Sequence, residues 1–420
     1  MVRTLIRRLP FFYGWVIVAC ALGANGARQG AAVATLSVFI LPMSAEFGWS
    51  RTALSGAVSL GSLLGALVAP ALGPLFDRHG SRAILVTSAV VVAACCVALA
   101  GTQSLAWFYV SFALSRMIFS APFDVGVTSA VAKWFVWHRA LPMSMIAMSH
   151  GVFLAVIPFI VQLIIVDQGW RAGWVALAIM VVVIGVVPQA LLLVRQPEDV
   201  GLVPDGRAPP RAAPDAGGSA GAAPAAEAAF TRGEALRSPV LWLLMAYTLL
   251  VFPVQAGISL HQAPYLIERG LSPAVAASAI SIFSLSSACA SLALGLTGRR
   301  LPVRGALVSC AALLSMAVLG MREVESAAAA FCAAAAFGAS LGGVFVLLPL
   351  AWADYFGRAH FGAIRGITLP AQVGGQALGP VLAGVLHDAT GEYGAGLALF
   401  ALFALAAAVL ALFVRAPRYS

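Results

Sequence analysis

Two arginines stand where a bilayer should tolerate none. Arg28 and Arg116 lie deep inside long apolar runs. At 1.5 Å per residue, Arg28 is about 22 Å along the first run counted from Tyr13, and Arg116 about 16 Å along the fourth. An arginine near the bilayer centre costs roughly 2.5 to 3.5 kcal/mol even on the lenient insertion scale, so each needs a partner or a watery cavity. A planar guanidinium in such a place is a two-pronged grip for a carboxylate, and the chemistry expected of the pair is capture of an organic anion. The alternative is an internal ion pair with Asp124, which follows Arg116 in the same run. On one continuous helix those two are about 12 Å apart along the axis and turned about 80° from each other, which disfavours direct contact. Asp124 is therefore expected to answer Arg78 or Arg82, on the loop described below, and no carboxylate is expected at mid-membrane.

Other polar residues in the apolar runs fall into two sets. His150 and His261 have side chains able to titrate near neutral pH. A lone membrane histidine usually packs through a hydrogen bond, the reading adopted for His150. His261 precedes Pro264, where a helix break near an outer gate is expected, and it is the better candidate for substrate or proton. Asn25, Gln29, Tyr247, Gln255 and Gln372 are candidate substrate-facing groups, with bonding between helices as the equal competitor for each. Asp354 reads as a gate or capping residue. The six cysteines have no metal-ligand spacing and read as small packing residues. There is no nucleophile and base pair, metal cluster or phosphate loop at usable spacing, so the chain does not read as an enzyme and no cofactor or metal is implied.

The elements that must position these groups follow from composition. With 61% hydrophobic and 10% charged residues, the chain departs from soluble globular proteins and takes the membrane as its solvent. Runs of about 20 apolar residues fall at 13–41, 52–76, 83–101, 105–132, 140–166 and 172–194, and again at 239–262, 273–297, 305–320, 327–352, 363–386 and 394–414. Of the 25 basic residues, 19 lie on the face shared by both termini and only Arg51, Arg171, Arg269 and Arg322 on the other. Basic loops resist translocation, so both termini are expected in the cytoplasm. The net charge of +9 reflects that bias; it implies contact with anionic lipid and no nucleic-acid partner. Arg3, Arg7 and Arg8 before an apolar run do not make a signal peptide, because the run continues far past a normal h-region.

A constant offset of 222 residues relates the two sets of runs. It carries Pro42, Glu46, Gly48 and Ser50 onto Pro264, Glu268, Gly270 and Ser272, and Pro158 and Gly169 onto Pro380 and Gly391. Several matches at one offset argue for two structural halves, and parallel repeats of this kind build carriers that rock about a central site. The expected division is 1–194, a flexible linker at 195–238 rich in Pro, Gly and Ala, and 239–420. Gly26/Gly30, Gly61/Gly65, Gly338/Gly342 and Gly375/Gly379 have the spacing that lets helices approach closely without choosing a substrate.

Between the second and third runs, Gly73, Asp77, Arg78, Gly80 and Arg82 form the string Gly-x3-Asp-Arg-x-Gly-x-Arg. This resembles the signature loop of the major facilitator superfamily, in position as well as in letters. Its second copy departs from the pattern, with Arg299 in the carboxylate's place and Pro302 in the glycine's, which implies a weaker lock there. The strings at 38–51, 133–139, 169–171, 196–206, 261–266, 355–366 and 379–393 are similar to the bacterial monocarboxylate porter and oxalate/formate exchanger group. The resemblance spans nearly the whole chain apart from 207–236. It implies an all-α membrane protein of 12 transmembrane helices in two pseudo-symmetric six-helix bundles. Gly73, Asp77, Arg78, Gly80, Arg82 and Asp124 would then form the conformational lock, the carboxylate meeting a helix N-terminus.

Relatives of that group usually place a basic residue in the eighth helix, whereas 273–297 has no charge and the eleventh run no lysine. The burden of binding therefore moves to Arg28 and Arg116. The expected function is alternating-access transport of a small organic anion, a mono- or dicarboxylate, through the inner cell membrane. A proton is the candidate coupling ion, by symport or antiport, and the protein is expected to act as a monomer. The rival expectations are efflux of amphipathic compounds, weakened because Gly151 and Pro158 lack adjoining glycines, and a membrane ligand sensor.

Overall fold

Hydrocarbon offers a backbone no water to bond, so apolar runs must satisfy their own amides as helices. In the computed structural model, residues 5–415 are described apart from 7, 207–229 and 298–301. Twelve helical spans follow in order: Gly14–Phe47, Arg51–His79, Ser81–Ala100, Leu105–Trp134, Ala140–Gln168, Trp170–Leu192, Pro239–Glu268, Pro273–Thr297, Val303–Arg322, Ala327–Phe356, Phe361–Thr390 and Gly394–Ala411. All but the eleventh are apolar and long enough to cross a membrane by composition alone. The eleventh has 30 residues but carries Arg365, Gln372, Gln376, His387 and Asp388. A span so polar needs protein rather than lipid on one side.

Two spans expected to be continuous are broken. The first is an α-helix only over Gly14–Ala27; Arg28–Ala31 tightens to a 3-10 turn, Ala32 is extended, and Val33–Phe47 resumes. The fourth breaks at Ala121, where Pro122 cannot supply an amide to the preceding turn, giving Leu105–Ser120 and Pro122–Trp134. The separation of Arg116 from Asp124 calculated for one straight helix therefore does not apply. The opposite correction holds for the seventh span, which runs unbroken through Pro264.

The expected linker is ordered at both ends, and its middle, 207–229, lies outside the described residues. Residues 195–206 form two 3-10 turns. Asp205, in the left-handed region at φ 58°, accepts the backbone N–H groups of Val136 and Trp137 at 2.8 Å and His138 at 3.1 Å. Arg232–Arg237 is a short helix closed by a Thr231 and Glu234 capping box.

The two halves pack as six-helix bundles whose internal contacts repeat at the 222-residue offset. A Cβ on Gly61 or Gly65 would strike Arg116 or Ser120; a Cβ on Gly338 or Gly342 would strike the backbone of Phe283 or Ser287. These are the same two contacts in each half, with the glycine on opposite partners. Between halves, Gly73 meets the Gly362 carbonyl and Gly295 meets Ser144 and the Ala140 carbonyl, again related by the offset. The second span thus packs on the eleventh and the fifth on the eighth.

Because the Ser287 carbonyl leaves no room for a methyl, Gly342→Ala should destabilise by about 1–3 kcal/mol. Gly374→Ala, facing open space, is the control. Thermal unfolding of the detergent-purified protein should show a lower melting temperature for the first and no loss for the second.

Candidate functional site

The breaks in the first and fourth spans face one another, and the charges sit on them. Ending a helix leaves carbonyls without amide partners. At the break in the first span the Ala31 carbonyl accepts from Arg116 Nη1 at 3.3 Å, while Arg116 Nε donates to Ser62 Oγ at 3.0 Å. Arg28 occupies the C-terminal end of Gly14–Ala27, where a cation is favoured by the helix dipole. Asp124 stands in the first turn of Pro122–Trp134, where an anion is favoured. Breaking two helices at the same depth therefore creates seats for one basic and one acidic group.

Those seats are joined. Arg28 Nη1 lies 3.8 Å from Asp124 Oδ1, and Arg28 also donates to Asn25 Oδ1 at 3.4 Å. Phe119 lies beneath two guanidinium groups, Arg28 and Arg116 each 4.2 Å from the ring centroid. Desolvated cation–π contacts of this kind are worth about 2 kcal/mol. The second oxygen of Asp124 accepts from Arg365 Nη2 at 2.9 Å, and the same nitrogen donates to Gln372 Oε1 at 2.6 Å. Arg116, Phe119, Arg28, Asp124, Arg365 and Gln372 thus form one chain crossing from the first bundle to the second. The side chains of Arg28, Asp124 and Arg365 are only 12%, 17% and 6% exposed, so pairing is obligatory.

Around this chain, Asn25 Nδ2 donates to the Ile146 carbonyl and to Ser149 Oγ, both at 3.0 Å. Gln29 Nε2 donates to the Asn25 carbonyl and to His150 Nδ1, both at 3.2 Å. Gln255 Oε1 accepts from Gln376 Nε2 at 3.3 Å, linking the seventh and eleventh spans. Tyr247 is elsewhere: fully buried, it donates to the Leu307 carbonyl inside the second bundle. His261 is also outside the chain. Its Nε2 faces the Pro380 carbonyl at 3.3 Å, which can only accept, so Nδ1 accepts from the Tyr393 hydroxyl at 3.2 Å.

One turn from Arg365, the eleventh span opens without a side-chain cap of its own. Asp77 of the second span supplies it, its two oxygens accepting from Gly362 N at 2.9 Å and Ala363 N at 2.7 Å. Lys133 Nζ stands 3.8 Å from the same carboxylate. Gly73 permits the approach, and Gly80, at φ 78°, turns the chain beside the Arg195 stem. Arg82 donates to the Ala190 carbonyl within its own bundle, and Arg78 is exposed. The expected pairing of Asp124 with Arg78 or Arg82 is therefore corrected: Asp124 is a membrane-depth carboxylate held by Arg28 and Arg365. On this basic face Arg139 pairs with Asp354 at 3.0 Å and Arg358 donates to the Lys133 carbonyl at 3.0 Å, both between bundles, while Arg358 also pairs with Glu198 of the connector at 2.5 Å.

A family model, the Major Facilitator Superfamily, matches residues 18–372. The chain belongs to the major facilitator superfamily. It is similar to monocarboxylate transporter 11 of Mus musculus, 24% identical over 405 residues that cover 94% of this chain and 85% of that protein. The Homo sapiens protein of the same name is 24% identical over 92% of this chain and 80% of its own length. Among solved structures, the proton:xylose symporter XylE superposes with a TM-score of 0.71 at 13% identity, over 96% of each chain. The human organic anion transporter MFSD10 gives 0.73 at 15% identity, over 96% of this chain and 100% of its own. These structures share the twelve-helix superfamily fold.

Sequence reasoning counted Arg365 among the 19 basic residues of the face shared by both termini and did not single out Phe119 or Ser62. Arg365 lies only a turn inside the eleventh span, next to the basic face, which is why it was counted with that face. The missed signal was the unusual polarity of that span.

Asp77→Ala should release the eleventh span from the second, because its first amides lose their acceptors, at a cost of about 0.5–2 kcal/mol. In a cysteine-free background, Leu369→Cys reports this. Leu369 is 1% exposed among Ala69, Phe76, Ile84, Ala121 and Val125 of the other bundle. Maleimide labelling should be slow with Asp77 present and fast without it; equal rates would refute the lock.

Proposed function

We propose that the chain is a secondary active transporter of a small organic anion, a mono- or dicarboxylate, working by alternating access between its two bundles in the inner cell membrane. The observation that carries this reading is that three guanidinium groups gather at the junction of the bundles around a single carboxylate: Arg28 and Arg365 pair with Asp124, and Arg116 shares the Phe119 ring with Arg28. Uncompensated positive charge at that depth is costly, and an anion removes the cost. The two relatives named as monocarboxylate transporters support the same substrate class.

The basic face is the cytoplasmic one in this reading, with both termini on it. Asp77, Arg139 and Arg358 hold the bundles together there, which corresponds to the half-cycle closed to the cytoplasm. Arg365 then supplies the basic group of the second bundle from the eleventh span. To let the anion pass inward, its bridge to Asp124 must part; Asp124 keeps Arg28, and the anion takes Asp124's place on Arg365.

Purified protein in liposomes should show counterflow of labelled lactate, pyruvate or succinate. Arg116→Ala and Arg365→Ala should each lower the initial rate at least about tenfold, as truncating a buried charge pair does, while the variants stay monodisperse. Undiminished counterflow in both would remove these arginines from the site, and ligand binding without counterflow would favour a sensor.

A further inference from the structure

We infer that the site is matched to a dianion, a dicarboxylate, rather than to a single monocarboxylate; this rests on the organic-anion reading above. The ionisable side chains brought together at the junction are Arg28, Arg365 and Asp124 through their ion pairs, and Arg116 and His150 around the Phe119 ring that Arg28 also covers. His150 brings no charge in this arrangement. Gln29 Nε2 must donate, since it bonds the Asn25 carbonyl, so His150 Nδ1 accepts from it and the ring proton sits on Nε2. Three cations against one carboxylate leave two positive charges in excess.

The excess is distributed as well as counted. Arg116 has its hydrogen bonds from neutral groups, Ser62 and Ala31, and no carboxylate partner among the described residues. Arg28 and Arg365 share one aspartate from opposite bundles, and the Nε of each has no acceptor among the described residues. A monocarboxylate would neutralise one charge and leave the other at membrane depth, where it opposes movement of the loaded carrier. Two monocarboxylates would neutralise both, but each would pay its own loss of translational freedom. Joining two carboxylates in one molecule makes the second contact intramolecular. A dicarboxylate spanning from the Arg28 and Arg116 side to Arg365 thus satisfies the charge and draws the bundles together in one step.

Matched pairs that differ only by a carboxylate and an amide test this: oxalate with oxamate, malonate with malonamate, succinate with succinamate. They are used at neutral pH against the whole protein, by thermal shift and by competition for counterflow. In at least one pair the diacid should bind about tenfold or more tighter than its monoamide, since the monoamide leaves a buried charge unmatched. Arg116→Gln, which lowers the excess by one, should bring the two members of that pair within about threefold, and Arg116→Lys, which keeps the charge, should restore the gap. Monoamides or lactate binding as tightly as the diacids in the unmodified protein would overturn the dianion assignment while leaving an organic-anion carrier intact. Binding of two monocarboxylates per protein would also overturn it. Absence of binding by every diacid and every monocarboxylate would instead sink the organic-anion reading itself. Should the Arg116 variants fail to fold, the paired affinities of the unmodified protein still decide.

Discussion

Asp124 is the constraint around which the rest is organised. It is a carboxylate at membrane depth, held by Arg28 of its own bundle and Arg365 of the other. Leaving that carboxylate without its partners would be expensive, since breaking a buried pair costs about 3–5 kcal/mol. The interruptions in the first and fourth spans make sense in this light. Each exposes a helix terminus, one suited to a cation and one to an anion, and the carbonyl freed at Ala31 is taken by Arg116. Irregular backbone within a membrane is tolerable only where protein groups satisfy it, and here Arg116, which itself needs partners, takes the carbonyl of Ala31.

The Asp77 cap and the charged cluster share a single turn of helix. Asp77 holds the amides of Gly362 and Ala363, and Arg365 two residues further on holds Asp124. No relay of side chains is needed to connect the basic face to the junction, because moving the start of the eleventh span moves both contacts. Glu198, on the ordered stretch that follows the sixth span, reaches Arg358 beyond the same interface. The connector between bundles thereby takes part in the contacts at that face.

The twelve-span plan and the repeat were legible in the sequence because hydropathy and a constant offset report on lipid contact and duplication directly. The signature loop was legible too, down to the carboxylate meeting a helix N-terminus, since Asp77 lies where the chain must turn. What escaped was everything that depended on a break. Treating 105–132 as one straight helix separated Arg116 from Asp124 and sent the aspartate to the wrong arginines, and Pro264, which looked like a breaker, broke nothing. A proline disrupts a span only where the freed carbonyls find other donors, and that is a property of neighbours. Tyr247 and His261 lie outside the charged cluster for a related reason: side-chain polarity marks a need for a partner, and Leu307, Pro380 and Tyr393 within the second bundle meet it.

The glycines that change sides between the halves have an effect on assembly. In the first bundle the second span is notched and the fourth is filled, with Gly61 and Gly65 receiving Arg116 and Ser120; in the second bundle the eighth is filled and the tenth notched. Were a newly inserted fourth span to settle against the eighth, bulk would meet bulk, and a second span against the tenth would leave a void. Overpacking and cavities each cost of the order of 1–3 kcal/mol. The two halves therefore differ in shape at the same contact, so that each notched span fits its own partner better than the matching span of the other half.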